Sequence, residues 1–131
     1  FFGKRQPEIY GTVTFDEINS QLKDLSKELK LNLEIYQSNH EGNLIDKIQE
    51  VLDSAHGILI NPGAYGHTSV ALRDAISAFA KPVIEVHMSN VYRREEFRHV
   101  SYIAPVCTGA IFGLGVHSYL LGLRAIAQLV K

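Results

Sequence analysis

Four short strand-like segments alternate with helix-like segments along the chain, and this alternation is the feature that most limits the possible folds. Residues 31–38 alternate apolar and polar side chains, as in a partly buried strand, whereas residues 57–61, 82–88 and 108–114 are short apolar runs. Continuous runs rich in β-branched residues are typical of strands that are buried on both faces of a parallel sheet. Because strands and helices alternate, we predict an α/β fold with helices on both faces of that sheet.

Helical periodicity fills the intervals between these runs. The sequence Thr14-Phe15-Asp16-Glu17 has the form of a capping box. It is followed by an apolar face at helical spacing, formed by Ile18, Leu22, Leu25 and Leu29. We predict further helices over residues 42–54, 68–79 and 116–130, and one short helical turn at 93–96.

Four strands make a thin sheet, whereas the flavodoxin-like arrangement of this fold class has five. The chain opens with Phe1-Phe2-Gly3 and without an initiator methionine. We therefore expect another strand upstream of Phe1. The predicted architecture is a flavodoxin-like, doubly wound parallel sheet in three α/β/α layers, formed by one domain over residues 1–131 and lacking its first strand in this sequence.

The composition excludes several classes of protein. The chain is 46% hydrophobic and 21% charged, which is too apolar for a disordered protein. A net charge of -1 gives no basic field for nucleic acid, and no apolar run reaches the roughly 18 residues of a membrane span. The single cysteine, Cys107, allows neither an internal disulfide nor a zinc-thiolate site, so we expect a cytoplasmic protein that binds neither nucleic acid nor membrane.

Polar residues gather where three of the predicted strands end, at residues 37–41, 61–67 and 85–90. In parallel α/β sheets, ligands bind at the carboxyl ends of the strands. Glu85 and His87 are two residues apart, so on a strand they point to the same face. A carboxylate beside an imidazole makes a usable general acid near neutral pH, although a purely structural Glu-His pair is the commoner meaning of this spacing.

The other polar groups have functional and structural interpretations that the sequence leaves open. Asn61, His67, Met88 and Ser89 lie in turns that could hold an anion through backbone N–H groups, or that simply connect a strand to a helix. Four arginines are candidates for anion clamps or for ordinary ion pairs, and Asp74 is a possible partner: Arg73, Arg93, Arg94 and Arg98. We interpret Ser101, Tyr102, Tyr119 and Cys107 as packing residues.

Residues 5–11 are predicted to form a loop that contains Arg5 and Tyr10. A free tyrosine has a pKa of about 10 and is a poor base at neutral pH. A neighbouring arginine favours the phenolate and would make Tyr10 a base. The loop could thus be a mobile lid, or Tyr10 could simply cover apolar surface.

Together these segments resemble the type II 3-dehydroquinate dehydratases. The matching stretches are RQPEIYG (5–11), QSNHEG (37–42), INPGAYGHTSVALRDA (60–75), PVIEVHMSNVYRREEFRHVSYIAPV (82–106) and GLGVHSYLLGL (113–123). The resemblance implies a lyase of the shikimate pathway, in aromatic amino acid biosynthesis. This enzyme would convert 3-dehydroquinate to 3-dehydroshikimate through an enolate, without metal or organic cofactor. It also implies a flavodoxin-like fold and a homo-oligomer, a dodecamer built from trimers.

The resemblance also implies roles for individual residues. Tyr10 matches the base, Arg5 the group that keeps it ionised, His87 the acid and Glu85 the residue that orients that acid. The positions that match substrate-binding residues are Asn61, His67, Asp74, Met88, Ser89 and Arg98. This sequence lacks the family's first strand and the asparagine that follows it, and it has Gln6 where a glutamate is frequent.

Two other functions are compatible with the same fold class. A non-catalytic, flavodoxin-like binding or assembly module would account for the missing first strand. A flavin carrier would require a phosphate-binding loop near the first strand, and the sequence contains no such motif.

Overall fold

The structure is a computed structural model, and it describes residues 15–130. Three strands form one parallel sheet: β1 (Ile58–Ile60), β2 (Val83–His87) and β3 (Gly109–Phe112). They lie in chain order with β2 in the centre, and Ile60 is paired with Glu85. Three of the four predicted strands are therefore confirmed, each slightly shorter than its apolar run.

Four α-helices accompany the sheet: α1 (Phe15–Glu28), α2 (Glu41–Glu50), α3 (Val70–Phe79) and α4 (Val116–Leu129). The four predicted helices are confirmed, although α2 ends earlier than expected because residues 51–54 form a turn. Thr14 of the predicted capping box lies outside the described residues.

The start of α3 shows which residue caps it. The Ser69 hydroxyl accepts a hydrogen bond from the Leu72 amide at 2.9 Å, so Ser69 rather than Thr68 is the N-cap. The helical turn predicted at 93–96 is wrong in detail. Two short 3-10 turns, Val91–Arg93 and Glu96–His99, overlap its two ends instead, and residues 94–95 between them are not helical. Two more 3-10 turns are formed by Gly63–His67 and Ala104–Val106.

The sheet has an apolar core on each face, which makes three layers. On one face α1 and α4 pack on the sheet, with a buried cluster formed by Ile18, Leu22, Leu25, Ile84, Val86, Met88, Tyr119, Leu123 and Ile126. On the other face lie α2 and α3, with a cluster formed by Ile48, Ile60, Leu72, Ala75, Ile76, Phe79, Val83 and Ile103. Helices on both faces agree with the predicted flavodoxin-like α/β class.

The side chains of β2 alternate between these two faces. Ile84 and Val86 belong to the cluster under α1 and α4, whereas Val83 belongs to the cluster under α3. The period of two therefore directs Glu85 and His87 to the α3 side, where a polar site forms.

The strand predicted over residues 31–38 is wrong for the described part of the chain, where that segment has no assigned strand. It keeps the expected alternation, because Leu33 and Ile35 are partly buried while Glu34 and Tyr36 are exposed. A cavity of about 240 Å³ lies between this segment and β1, and its walls include Leu33, Leu59 and Tyr119. A strand requires a hydrogen-bonded neighbour, and the sheet described within residues 15–130 contains only β1, β2 and β3, so this segment is not one of its strands.

Candidate active site

Polar side chains converge at the carboxyl ends of β1 and β2, as the sequence predicts. Asn61 directly follows β1, and His87 is the last residue of β2. The 3-10 turn Gly63–His67 brings His67 to the same place, because its ring centroid lies 5.9 Å from that of His87. The structure therefore brings together His67, Glu85 and His87, whereas Asn61 follows the neighbouring strand and is hydrogen-bonded to Tyr119.

Glu85 and His87 form a short hydrogen bond, with 2.6 Å between Oε2 and Nε2. Glu85 is only 2% exposed, so its carboxylate depends on protein donors rather than on water. A carboxylate accepts, so the Nε2 atom of His87 carries the proton of this bond. The Nδ1 atom is consequently the ring nitrogen that Glu85 leaves available for a ligand.

Ser101 is the second donor to Glu85, and the sequence interpretation of Ser101 as a packing residue was incomplete. Its hydroxyl lies 3.0 Å from Oε1 and 3.1 Å from Oε2 of Glu85. The same hydroxyl accepts a hydrogen bond from the Ala104 amide at 3.0 Å. No local pattern links residues 85 and 101, so only the folded chain reveals this contact.

A main-chain carbonyl group holds the His67 ring in place. Its Nδ1 atom lies 2.7 Å from the Val100 carbonyl oxygen, and because a carbonyl only accepts, Nδ1 carries the proton. The ring is nearly parallel to that of His87, with 22° between the planes, and it is 8% exposed. Its Nε2 atom is therefore an acceptor whenever the ring is neutral.

Asn61 is also held by both ends of its amide. Its Nδ2 donates to the Tyr119 hydroxyl at 2.8 Å, and its Oδ1 accepts from the Gly63 amide at 3.0 Å. Tyr119, which the sequence suggested was a packing residue, is part of the apolar core and also holds this side chain. Gly63 adopts a φ of +58°, a conformation that glycine tolerates and that closes the turn over the asparagine.

Met88 and Ser89 continue the chain beyond His87 and are both mostly buried, at 2% and 9% exposure. The Met88 carbonyl accepts from the Gly115 amide at 3.0 Å, and the His87 carbonyl accepts from the Gly113 amide at 3.2 Å. These bonds fix the turn after β2, so the position of its backbone N–H groups is also fixed.

Arg98 and Asp74 are more exposed than the two histidines of the site. Arg98 donates from Nε to Glu95 Oε2 at 2.5 Å, and this bond lowers the pKa of the Glu95 carboxyl below its usual value. Asp74 is exposed on α3, and the hydrogen bonds found among residues 15–130 do not join it to the histidines. Arg5 and Tyr10 lie outside the described residues.

Three further observations concern metal ligands, membrane-spanning helices and the single cysteine. No group of three or more His, Cys, Asp or Glu side chains within residues 15–130 is placed to hold a metal ion. Within the same range, no helix is long and apolar enough to cross a membrane. Burial, and then the nearby Glu85 charge, raise the pKa of Cys107 to about 12, so its thiol is a poor nucleophile at neutral pH.

Comparison with known proteins places these features in a family. Residues 1–127 match the family model described as Dehydroquinase class II. A 3-dehydroquinate dehydratase of Acaryochloris marina is 60% identical over 124 residues, which span 95% of this chain and 83% of the relative. A second, from Geotalea daltonii, is 54% identical over 98% of this chain and 90% of its own length.

A solved structure gives the same result. The type II dehydroquinase of Butyrivibrio crossotus matches with a TM-score of 0.92 and 44% identity, covering 95% of this chain and 87% of that protein. The sequence match and the structural match span nearly the whole chain, so they describe its fold and not merely a shared motif. The chain belongs to the class II dehydroquinase family.

Proposed function

We propose that this protein is a hydro-lyase that converts 3-dehydroquinate to 3-dehydroshikimate, a step of the shikimate pathway. The observation that carries the proposal is the buried Glu85–His87 pair at the carboxyl end of β2, with His67 beside it. Membership in the class II dehydroquinase family supports this substrate, because the relatives compared above are 3-dehydroquinate dehydratases.

His87 is proposed as the general acid. Loss of water from the substrate requires a proton on the departing hydroxyl, and an imidazolium supplies one near neutral pH. Glu85 binds Nε2, so the proton would leave from Nδ1. The same hydrogen bond holds the ring in one orientation.

Tyr10 is proposed as the base that removes the proton next to the ketone, with Arg5 favouring its phenolate. Removal of that proton leaves an enolate, so the site must stabilise negative charge as it develops. These two residues lie outside the described residues, and their roles are carried by the resemblance alone.

The proposed substrate contacts are Asn61, His67, Asp74, Met88, Ser89 and Arg98. Asn61 and His67 are the best supported, since hydrogen bonds to other parts of the protein fix the direction of each side chain. For Met88 and Ser89 we propose that the turn after β2 binds the substrate carboxylate through backbone N–H groups and the Ser89 hydroxyl. Arg98 is a cation near this edge, and its contact with Glu95 would have to yield to a bound anion.

We further propose that the reaction needs no metal or organic cofactor. Its two proton transfers require one base and one acid, and side chains of this protein can supply both. The protein is proposed to act in the cytoplasm, in agreement with its single cysteine. A dodecamer built from trimers is proposed from the resemblance, and light scattering that gives a monomer would refute that part.

The test is to mix the protein with 3-dehydroquinate in metal-free buffer and to follow the ultraviolet absorbance of the conjugated product. We expect absorbance to rise with the native protein and to stay flat with Tyr10→Phe and with His87→Ala. A folded native protein that gives no product would refute the proposal. Turnover that survives His87→Ala would refute the role of His87.

A further inference from the structure

Three consecutive residues, Val100, Ser101 and Tyr102, contact three different parts of the site. They lie between the 3-10 turns Glu96–His99 and Ala104–Val106. The Val100 carbonyl accepts from His67, and the Ser101 hydroxyl donates to Glu85. The Tyr102 amide donates to the carbonyl of Gly66 at 2.7 Å. This segment therefore connects the turn after β1 with the last residues of β2.

The hydrogen bonds of Ser101 fix the direction of its hydroxyl. A serine hydroxyl has one proton to donate and lone pairs to accept. The Ala104 amide occupies a lone pair, so the proton is directed at the Glu85 carboxylate, with both oxygens within 3.1 Å. Ser101 is thus a donor held in place by the main chain.

This donor matters because Glu85 has a choice of orientations. A carboxylate with one hydrogen bond to His87 can still rotate about its last side-chain torsion, which is broad in glutamate. The second bond, from Ser101, restricts that rotation and keeps Oε2 at 2.6 Å from Nε2 of His87. Since Glu85 is 2% exposed, little water is present to replace a lost donor.

We propose that Ser101 is a positioning residue for His87, acting through Glu85. Val100 does the same for His67 through its carbonyl, so the segment 100–102 sets the two imidazole rings relative to each other. The proposal rests on the dehydratase function and on the role of His87 as its acid. The simpler alternative is that Ser101 only holds the Ala104 amide and so stabilises the loop.

The variants Ser101→Ala and Ser101→Thr separate these two explanations. We expect Ser101→Ala to lower kcat about 10- to 100-fold, the range for loss of a hydrogen bond to a charged group, with KM changed by less than about threefold. Ser101→Thr keeps the hydroxyl and should restore most of kcat. If Ser101→Ala does not fold, Ser101→Cys, which has a weak donor of similar size, serves the same test.

Ser69→Ala is the matched control. Ser69 is buried and accepts from an amide three residues later, as Ser101 does, but its hydroxyl caps α3. We therefore expect Ser69→Ala to lower the free energy of unfolding by about as much as Ser101→Ala does. Its kcat should stay within about twofold of the native value. A Ser101→Ala variant that behaves like Ser69→Ala in both measurements would overturn the proposal.

Two further measurements test whether Ser101 acts on His87 through Glu85. In the Glu85→Gln background, Ser101→Ala should cause no further loss of kcat, whereas an independent loss would overturn the proposal. The downfield proton NMR signal of the Nε2–H group of His87 should move in Ser101→Ala and stay in place in Ser69→Ala. This signal needs no turnover, so it tests the positioning role even if the native protein fails to dehydrate 3-dehydroquinate. An unmoved signal would overturn the role.

Discussion

Replacing Glu85 by glutamine removes a negative charge from the site while the side chain keeps almost the same size. In the native structure the carboxylate accepts from His87 at 2.6 Å and from Ser101 at 3.0 Å and 3.1 Å. The amide of a glutamine has only one acceptor atom, so it cannot accept from both donors through separate oxygens. One donor consequently loses its partner, or both share a weaker one.

The size of the effect follows from these contacts. A hydrogen bond to a charged group contributes about 1.5–3 kcal/mol, and each 1.36 kcal/mol corresponds to about a tenfold change in rate. If Glu85 supports the protonated form of His87 in the transition state, Glu85→Gln should lower kcat about 10- to 100-fold. KM should change little, because in the proposed mechanism Glu85 acts on His87 and not on the substrate.

The assay is the absorbance of the conjugated product, measured over a range of substrate concentrations. Glu50→Gln is the control, because it makes the same change of charge on the surface, where that carboxylate is 69% exposed. It should leave kcat unchanged. A Glu85→Gln variant that is folded by urea unfolding and keeps kcat within about twofold of the native value would refute the proposed action of Glu85 on His87.

Three further predictions follow from other parts of the structure. Leu72→Ala, at a fully buried position, should lower the free energy of unfolding by about 2–5 kcal/mol in urea, whereas Val70→Ala, 58% exposed on the same helix, should change it by less than about 0.5 kcal/mol. Tyr119→Phe removes the acceptor for Asn61 Nδ2 and should raise KM severalfold with a smaller effect on kcat; an unchanged KM would contradict the role of Asn61. Cys107, whose pKa is raised from 9.0 to about 12, should be alkylated at pH 8 at least about tenfold more slowly in the folded than in the unfolded protein. Stability should also fall as pH rises above 9, where only the unfolded thiol ionises, and Cys107→Ala should abolish that part of the fall.

Local sequence patterns were enough to predict most of the fold. The runs at 57–61, 82–88 and 108–114 became strands because continuous apolar sequence is what a strand buried on both faces requires. Residues 31–38 were predicted from an alternation of apolar and polar residues, and the side chains of 31–36 do alternate between partly buried and exposed. Pairing, however, depends on a neighbouring strand, and a pattern within one segment contains no information about its neighbour.

In the candidate site, too, local contacts could be predicted from the sequence and distant contacts could not. Glu85 and His87 were predicted as a pair because a spacing of two on a strand is a local property. Ser101 is 16 residues from Glu85, and Tyr119 is 58 residues from Asn61, so no periodicity connects the members of either pair. Both residues were interpreted as packing residues, yet each binds a proposed site residue through its hydroxyl.

The burial of Glu85 helps to separate the dehydratase hypothesis from that of a non-catalytic binding module. Moving a carboxylate out of water costs several kcal/mol, and replacing a buried ion pair by well-packed apolar residues is often neutral or stabilising. A module that only needed a stable sheet would therefore gain nothing from Glu85, which is 2% exposed in the centre of β2. The proposed general acid would need such a group, because the charge and the fixed direction of the carboxylate would both act on the proton that His87 is proposed to deliver. The dehydratase hypothesis therefore accounts for a cost in stability that the binding-module hypothesis leaves without a reason.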